Sequence, residues 1–320
     1  MVEVFLTLLL IAHLLCVNVA AGAPILCVWL EWRGDALARR VAAYLGRMGL
    51  VTLVAGGLFG LAIGWLKWSP AYCELWTGPL AYKLHWGAAE LVFSLVLAVV
   101  YWLLVGGKGG TSAGSRIGRG LVALLNGTNL LYHFPPLFAV ASKLYETGQT
   151  AGATIRGAQF RQLAWSGEAP ALAIHVILAS VAVAGVMLLG LALRWLHHDK
   201  PPADVARIAT WGSRWALGAS LVQLPVGLWT LMVLPAESQA SLMGTQVMGT
   251  MLFLGAMLTM FWLLRELTGV ALGEATRPAM IRSMTAMLVV VSLMTAMQQA
   301  VRPSSTPSKS TGAMVWPRKS

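Results

Sequence analysis

The feature that most constrains this chain is a series of long apolar stretches. A helix that crosses the hydrocarbon core of a bilayer needs about 20 consecutive, mostly apolar residues. Eight stretches reach that length, and we predict a spanning helix in each, at about 4–31, 44–66, 84–106, 120–142, 169–195, 208–234, 242–265 and 279–299. Only 11% of the residues are charged, against about 25% in an ordinary soluble domain. The fold class is therefore predicted to be all-α, a polytopic transmembrane helix bundle.

The remaining segments are short. Residues 1–300 are predicted to form one transmembrane bundle, and residues 301–320, rich in Pro, Ser, Thr and Lys, a disordered outer tail. The longest connection, roughly 143–168, is polar and is predicted to carry a short surface helix. The first stretch lacks the positive charge of a signal peptide and continues past Pro24, so we interpret it as a retained span.

Loop charges predict the orientation. Arginine and lysine are concentrated in alternate connections, and the positive-inside rule places those connections in the cytoplasm and both termini outside. The chain is therefore expected to be a multi-pass membrane protein with its N-terminus outside. Its formal net charge of +11 is explained by topology and by contact with anionic lipids, so nucleic acid is not expected as a partner.

Four of the six histidines lie within or at the ends of the apolar stretches, namely His13, His85, His133 and His175. An ionisable residue inside lipid marks a functional site by default. In the predicted orientation, His175 and Met248 each lie about six residues inside an outer end, roughly 9 Å deep at 1.5 Å per residue. An imidazole and a thioether together can ligate a low-spin haem iron. The chain has no CxxCH motif, so the predicted haem is a non-covalent haem b. Alternatively, Met248 is a core residue.

Three further residues are candidates at similar depth. His13 is predicted either to hold a second haem or to make an interhelical hydrogen bond. Glu90, the one acid in the third stretch, could ligate iron, relay protons or be a neutral hydrogen-bonded acid. His133 precedes Pro135 and Pro136, which are predicted to break the helix. It could be a ligand, a proton carrier or, as we favour, a partner for the carbonyls freed by that break.

The order of these elements resembles subunit I of the cytochrome bd quinol oxidases, over about residues 5–265. The matching motifs are Ile11-Ala12-His13, Pro79-Leu80-Ala81, Leu121-Val122-Ala123-Leu124, Thr128-Asn129-Leu130, Phe160-Arg161-Gln162-Leu163, Ile174-His175-Val176 and Gln246-Val247-Met248. The resemblance implies that His175 and Met248 ligate the low-spin haem b and that His13 ligates a haem of a second, oxygen-reducing pair. Gln246 stands where the family has an arginine near the haem. The family also works as a heterodimer, so a related membrane subunit is expected.

The chain lacks some features of this family, and these differences limit the function that the resemblance implies. The long outer loop that oxidises quinol is replaced by the short connection 235–241, and Glu90 stands alone where the family has two glutamates. We therefore expect a shortened bd-like cytochrome that takes electrons from an outer donor, such as a c-type cytochrome, with oxygen as a candidate acceptor. Two alternatives lack haem: a transporter that uses His13, Glu90 and His133 as a proton relay, and a structural partner subunit.

Overall fold

The computed structural model describes residues 2–107, 112–198 and 200–301, and within them every regular element is a helix. A π-helical turn, Ser241–Thr245, lies just before the helix that begins at Val247. The helices are α1 Val2–Arg33, α2 Ala36–Leu66, α3 Pro70–Thr77, α4 Ala81–Gly106, α5 Ala113–Glu146, α6 Gly157–Ala164, α7 Ala169–His197, α8 Pro202–Val233, α9 Ala236–Ala240, α10 Val247–Ala271 and α11 Arg277–Val301. The predicted tail 302–320 lies outside the described residues.

Each predicted span corresponds to one long helix. Seven of these helices are long and apolar enough to cross a membrane, namely α1, α2, α4, α7, α8, α10 and α11. The eighth, α5, is 34 residues long but contains polar residues along its length and basic residues near both ends. It packs against α1, α4 and α7. The all-helical, membrane-spanning fold class is confirmed, and α6 is the short helix predicted within 143–168.

The prediction that the double proline breaks its helix is wrong. α5 continues through Pro135 and Pro136 to Glu146. A proline has no N–H to donate to the carbonyl four residues earlier. The turns that follow the prolines are nevertheless packed in a core cluster, in which Leu137 and Leu144 are buried. Tertiary packing therefore holds the helix together across a position where local chemistry disfavours it.

Small residues let the central helices approach closely. On α1, a Cβ at Gly22 would collide with the backbone carbonyl of Ser180 on α7. At the crossing of α7 and α8, Gly185 and Gly212 face each other with similarly little space. Helices in lipid associate through such close van der Waals packing, because the surrounding lipid offers no hydrophobic driving force between them.

A buried ion pair joins α1 to α5 at the end of the bundle where α1 ends and α2 begins, which we call the arginine-rich end. Arg119 donates from Nε to Oε1 of Glu31 and from Nη2 to Oε2, both at 2.9 Å. The two residues are only 3% and 5% exposed. Tyr101 of α4 also donates to Oε1 of Glu31, at 3.2 Å. Bidentate geometry and a third donor are what a buried carboxylate needs.

Exposed ion pairs link further helices at the arginine-rich end. Asp35 caps α2 by accepting from the backbone N–H of Ala38 at 2.8 Å, and Arg207 of α8 donates to it at 3.0 Å. Desolvation acts to raise the pKa of Asp35. The hydrogen bond from Ala38 and the positive charges of Arg207 and Arg33 outweigh that effect, so the pKa lies below its ordinary value.

The opposite end of the bundle is closed by an apolar cap. α3 and α6 pack with the end of α5 and the start of α7 around a second core cluster that includes Trp76, Leu80, Leu144 and Phe160. The backbone N–H of Ile155 donates to the carbonyl of Pro79 at 2.8 Å and ties the two connections at this end together.

The buried pair should dominate the stability of the arginine-rich end. Because Arg119→Gln leaves Glu31 buried without its counterion, we expect the free energy of unfolding to fall by about 3–5 kcal/mol. The matched control is Arg265→Gln, whose side chain contacts Glu266 but is 83% exposed, and it should cost about 1 kcal/mol or less. Denaturant unfolding in detergent micelles, followed by circular dichroism, measures both. Equal effects of the two substitutions would contradict the assignment.

Asp35 should make the stability pH-dependent on the acid side. Its pKa is lower in the folded than in the unfolded chain. Its stabilisation is therefore complete above the unfolded value, about 3.9, and is lost as the pH falls through the lower folded value. Asp35→Asn should be less stable than the parent protein at pH 7, and the difference should shrink in acid. Glu237→Gln, at an exposed position on α9, should show no such trend. A difference that grows in acid would refute this account.

Candidate functional site

His13 is held in a fixed orientation between α1 and α2. Its Nδ1 lies 2.8 Å from the carbonyl oxygen of Gly56. Since a carbonyl only accepts hydrogen bonds, Nδ1 carries the proton, and in the neutral ring Nε2 presents its lone pair. Gly60 lies beside the ring, where a Cβ would be only 3.0 Å from Cε1. A protonated Nδ1 anchored to a backbone carbonyl is the arrangement that orients a histidine as a metal ligand.

His175 lies between α7 and α8 with an unsatisfied ring atom. Its Nδ1 is buried and has no hydrogen-bond partner among the described residues. Gly227 of α8 faces the ring, where a Cβ would be 3.9 Å from Cε1. Gln223, one helical turn away on α8, donates from Nε2 to the backbone carbonyl of His175 at 3.4 Å. A buried polar atom without a partner needs an explanation, and an additional group bound at the ring would supply one.

The predicted site residues Met248 and Gln246 lie at the protein surface, at the start of α10. Met248 lies in the first turn of α10 with 62% of its surface exposed, and Met251 is 63% exposed. Gln246 precedes this helix, and its Nε2 donates to the backbone carbonyl of Ala300 on α11 at 3.2 Å. The thioether of Met248 is therefore accessible, and the amide of Gln246 ties the start of α10 to the end of α11.

Glu90 and His133 are brought together across α4 and α5. Oε1 of Glu90 lies 3.6 Å from Nε2 of His133, and both side chains are partly exposed. Asn129 of α5 also joins these two helices. Its Nδ2 donates to the backbone carbonyl of Glu90 at 3.0 Å and to Oγ of Ser94 at 2.9 Å. The sequence placed both residues in one alternative, a proton relay with His13, but it did not predict this direct contact.

His85 and two small cavities do not contribute to the sites around His13 and His175. His85 bonds to the carbonyl of Ala81 in its own helix at 2.7 Å and is exposed. Neither of the two best-defined cavities is lined by His13, His175 or Met248. One of these cavities, of about 10 Å³, lies against Asn126, whose buried Oδ1 has no partner among the described residues. Its volume suits one water molecule.

The predicted haem requires few ligands from the protein. In the described part of the chain there is no group of three or more His, Cys, Asp or Glu side chains that could hold a metal ion. A haem iron needs only one or two axial ligands from the protein, and a single imidazole is a common one. His13, with its lone pair oriented, and His175, with its unpartnered nitrogen, both satisfy that requirement.

Comparison with known proteins supports the fold. No protein-family model matches the chain, and no curated protein matches it in sequence. Among solved structures, it is similar to a bd oxidase from Geobacillus thermodenitrificans, with a TM-score of 0.78 and 12% sequence identity. The match covers 94% of this chain and 86% of the other. The chain therefore has a bd-oxidase-like fold.

The contact between Glu90 and His133 should be measurable as a coupling energy. We expect the effects of Glu90→Gln and His133→Asn on the free energy of unfolding to be non-additive by about 0.5–1 kcal/mol, because each variant removes the same contact. The control cycle combines Glu90→Gln with His85→Asn, which should be additive, since His85 bonds within its own helix. Additivity in both cycles would show that the pair is not coupled in the membrane protein.

Proposed function

We propose that this chain is a membrane haem b electron-transfer subunit of a bd-like terminal oxidase or a related respiratory complex, with electrons passing near the outer face. The bd-oxidase-like fold supports this proposal. The observation that carries it is a pair of membrane-embedded imidazoles, His13 and His175, each beside a glycine of the neighbouring helix. His13 is bonded through Nδ1 to the carbonyl of Gly56, and Nδ1 of His175 has no partner among the described residues.

His13 and His175 would each bind one haem iron. The hydrogen bond from Nδ1 of His13 to Gly56 holds Nε2 in position and raises its basicity as a ligand. For His175, Met248 is the proposed sixth ligand. When bound, the haem supplies one-electron redox chemistry, and a methionine ligand raises its reduction potential.

Glu90 and His133 would handle protons. A carboxylate and an imidazole on neighbouring helices can act as successive proton carriers, and Asn129 joins α4 to α5 beside them. In this proposal the arginine-rich end faces the cytoplasm of a bacterial inner membrane, and both termini lie outside. A c-type cytochrome or another outer donor would supply electrons, with oxygen a candidate acceptor, and a second membrane subunit would complete the complex.

A second candidate function is a haem-free structural partner within the same kind of complex. Two observations favour it: the exposed thioether of Met248 and the use of Gln246 in a bond to Ala300. In that role the fold would be retained for its helix packing, and His175 would be an interhelical residue.

A reduced-minus-oxidised absorption spectrum of the purified chain tests the proposal. We expect a sharp alpha band of haem b. His175→Ala and Met248→Leu should each remove or shift the low-spin signal, because each deletes an axial ligand. His13→Ala should alter a separate component, and His85→Ala, which removes an exposed histidine, should leave the spectrum unchanged.

A flat spectrum from folded protein would instead support the haem-free structural role. A haem band that survives both His175→Ala and Met248→Leu without a shift would show that the ligand assignment is wrong even though haem is present.

A further inference from the structure

The cavity beside Asn126 lies between four helices, α1, α2, α4 and α5, each of which contributes to its wall. Its volume is about 10 Å³, which is about the room that one water molecule needs. The polar residues in its wall are Cys27, Tyr101 and Asn126, and none of the described lining residues is acidic. We call it the Asn126 cavity.

The side chain of Asn126 is a buried acceptor that needs a donor. The residue is 4% exposed, and its Oδ1 makes no hydrogen bond to any described residue. The other two polar side chains in the wall direct their hydrogens elsewhere. Sγ of Cys27 donates to the carbonyl of Ala42 at 3.8 Å, and Oη of Tyr101 donates to Glu31 at 3.2 Å. A buried oxygen without a donor calls for an explanation.

Helix α1 offers a second acceptor at the same cavity. Pro24 lies inside α1 and lines the cavity. Because proline has no N–H, the carbonyl of Ala20, four residues earlier, loses the donor that an ordinary helix would supply. A helical carbonyl points toward the residue four positions later, so this oxygen is directed toward Pro24 and the wall of the cavity. Ala20 is 2% exposed, and lipid supplies no donor to a buried carbonyl.

Two glycines bring the neighbouring helices close to this proline turn. Gly127 follows Asn126 in α5, and a Cβ there would lie 3.3 Å from Cβ of Pro24. Gly49 of α2 faces the same turn, and a Cβ there would lie 3.6 Å from Cβ of Ala23. The Asn126 cavity is therefore located where α1 crosses α2 and α5, with one acceptor on α1 and another on α5.

We propose that the Asn126 cavity binds one water molecule, which links α5 to the proline turn of α1. Water carries two hydrogens, and the cavity offers two acceptors that lack donors, Oδ1 of Asn126 and the carbonyl of Ala20. Both bonds satisfy buried polar atoms that are costly to leave without a partner. A cation has no counter-charge in this wall, whereas a neutral donor needs none. The site is independent of the proposed haems.

The bound water gives α1 and α5 a second polar link. Glu31 and Arg119 form the first, near the arginine-rich end. Pro24 precedes Glu31 by about two helical turns, and Asn126 follows Arg119 by about two turns. The two helices run in opposite directions from that end, so both positions lie about 10 Å deeper in the bundle than the ion pair. The water thus fixes the same two helices at a second level.

X-ray radiolytic footprinting of the full-length protein in non-ionic detergent tests the site. Radiolysis converts a bound water into a hydroxyl radical, which oxidises the side chains beside it. Cys27 and Met280 are both fully buried, both carry sulfur and both belong to one core cluster, but of the two only Cys27 lines the cavity. We expect mass spectrometry to find Cys27 oxidised several-fold faster than Met280.

Variants of the cavity wall connect this oxidation to the site. Asn126→Leu keeps the shape of the side chain without the acceptor, so it should reduce oxidation of Cys27 several-fold. Gly49→Ala should do the same by filling the space, since its methyl group would contact α1 without a clash, and it carries the test if Asn126→Leu does not fold. The matched control is Gly57→Ala on the same helix, which has no neighbour within 4 Å and should change nothing. Oxidation of Cys27 no faster than that of Met280 would overturn the proposal, as would unchanged oxidation in both cavity variants.

Discussion

Inside a bilayer no water is available to satisfy polar groups, and this constraint accounts for most of the structure. Backbone groups are paired within the long helices. Polar side chains at the same depth need partners on neighbouring helices, and the structure supplies them pair by pair. Glu31 meets Arg119, Glu90 meets His133, and Asn129 meets Ser94. Each pair fixes the register of two helices, so polar matching and close packing of small residues together determine how the bundle assembles.

The candidate site contains ring nitrogens that the neighbouring helices do not fully satisfy. Nδ1 of His175 is buried without a partner among the described residues. His13 is partnered at Nδ1 only. Both rings lie beside a glycine, where a larger residue would restrict the space. A buried polar atom without a partner calls for an explanation, and the haem proposed above would supply one at these rings.

The sequence predicted the parts of the fold that depend on local pattern. Runs of apolar residues located every long helix, because the length of a span is fixed by the bilayer itself. The error at Pro135 arose because the rule for proline is local, whereas the packing of Leu144 and its neighbours is tertiary. The pair Glu31 and Arg119 was missed for the complementary reason. Arg119 was counted only as a loop charge, and nothing in the neighbouring residues indicates a partner on a distant helix.

For the candidate residues too, the sequence predicted the residue types, whereas their contacts depend on tertiary packing. That Glu90 and His133 are ionisable and embedded is evident from the sequence, since charged groups are rare in lipid. That they meet depends on the crossing of α4 and α5, which no local pattern specifies. The exposure of Met248 could not be predicted from the sequence either, because the same helical spacing of methionines occurs on buried and on exposed helix faces.

The separation of Glu31 and Arg119 along the chain has a consequence for biosynthesis. The two residues are 88 positions apart, so the first helix leaves the ribosome and reaches the membrane well before its counterion has been translated. During that interval the glutamate must remain hydrated at the interface or be held by the insertion machinery. The contact between α1 and α5 can therefore form only after α5 has been inserted, so these two helices dock out of their order in the chain.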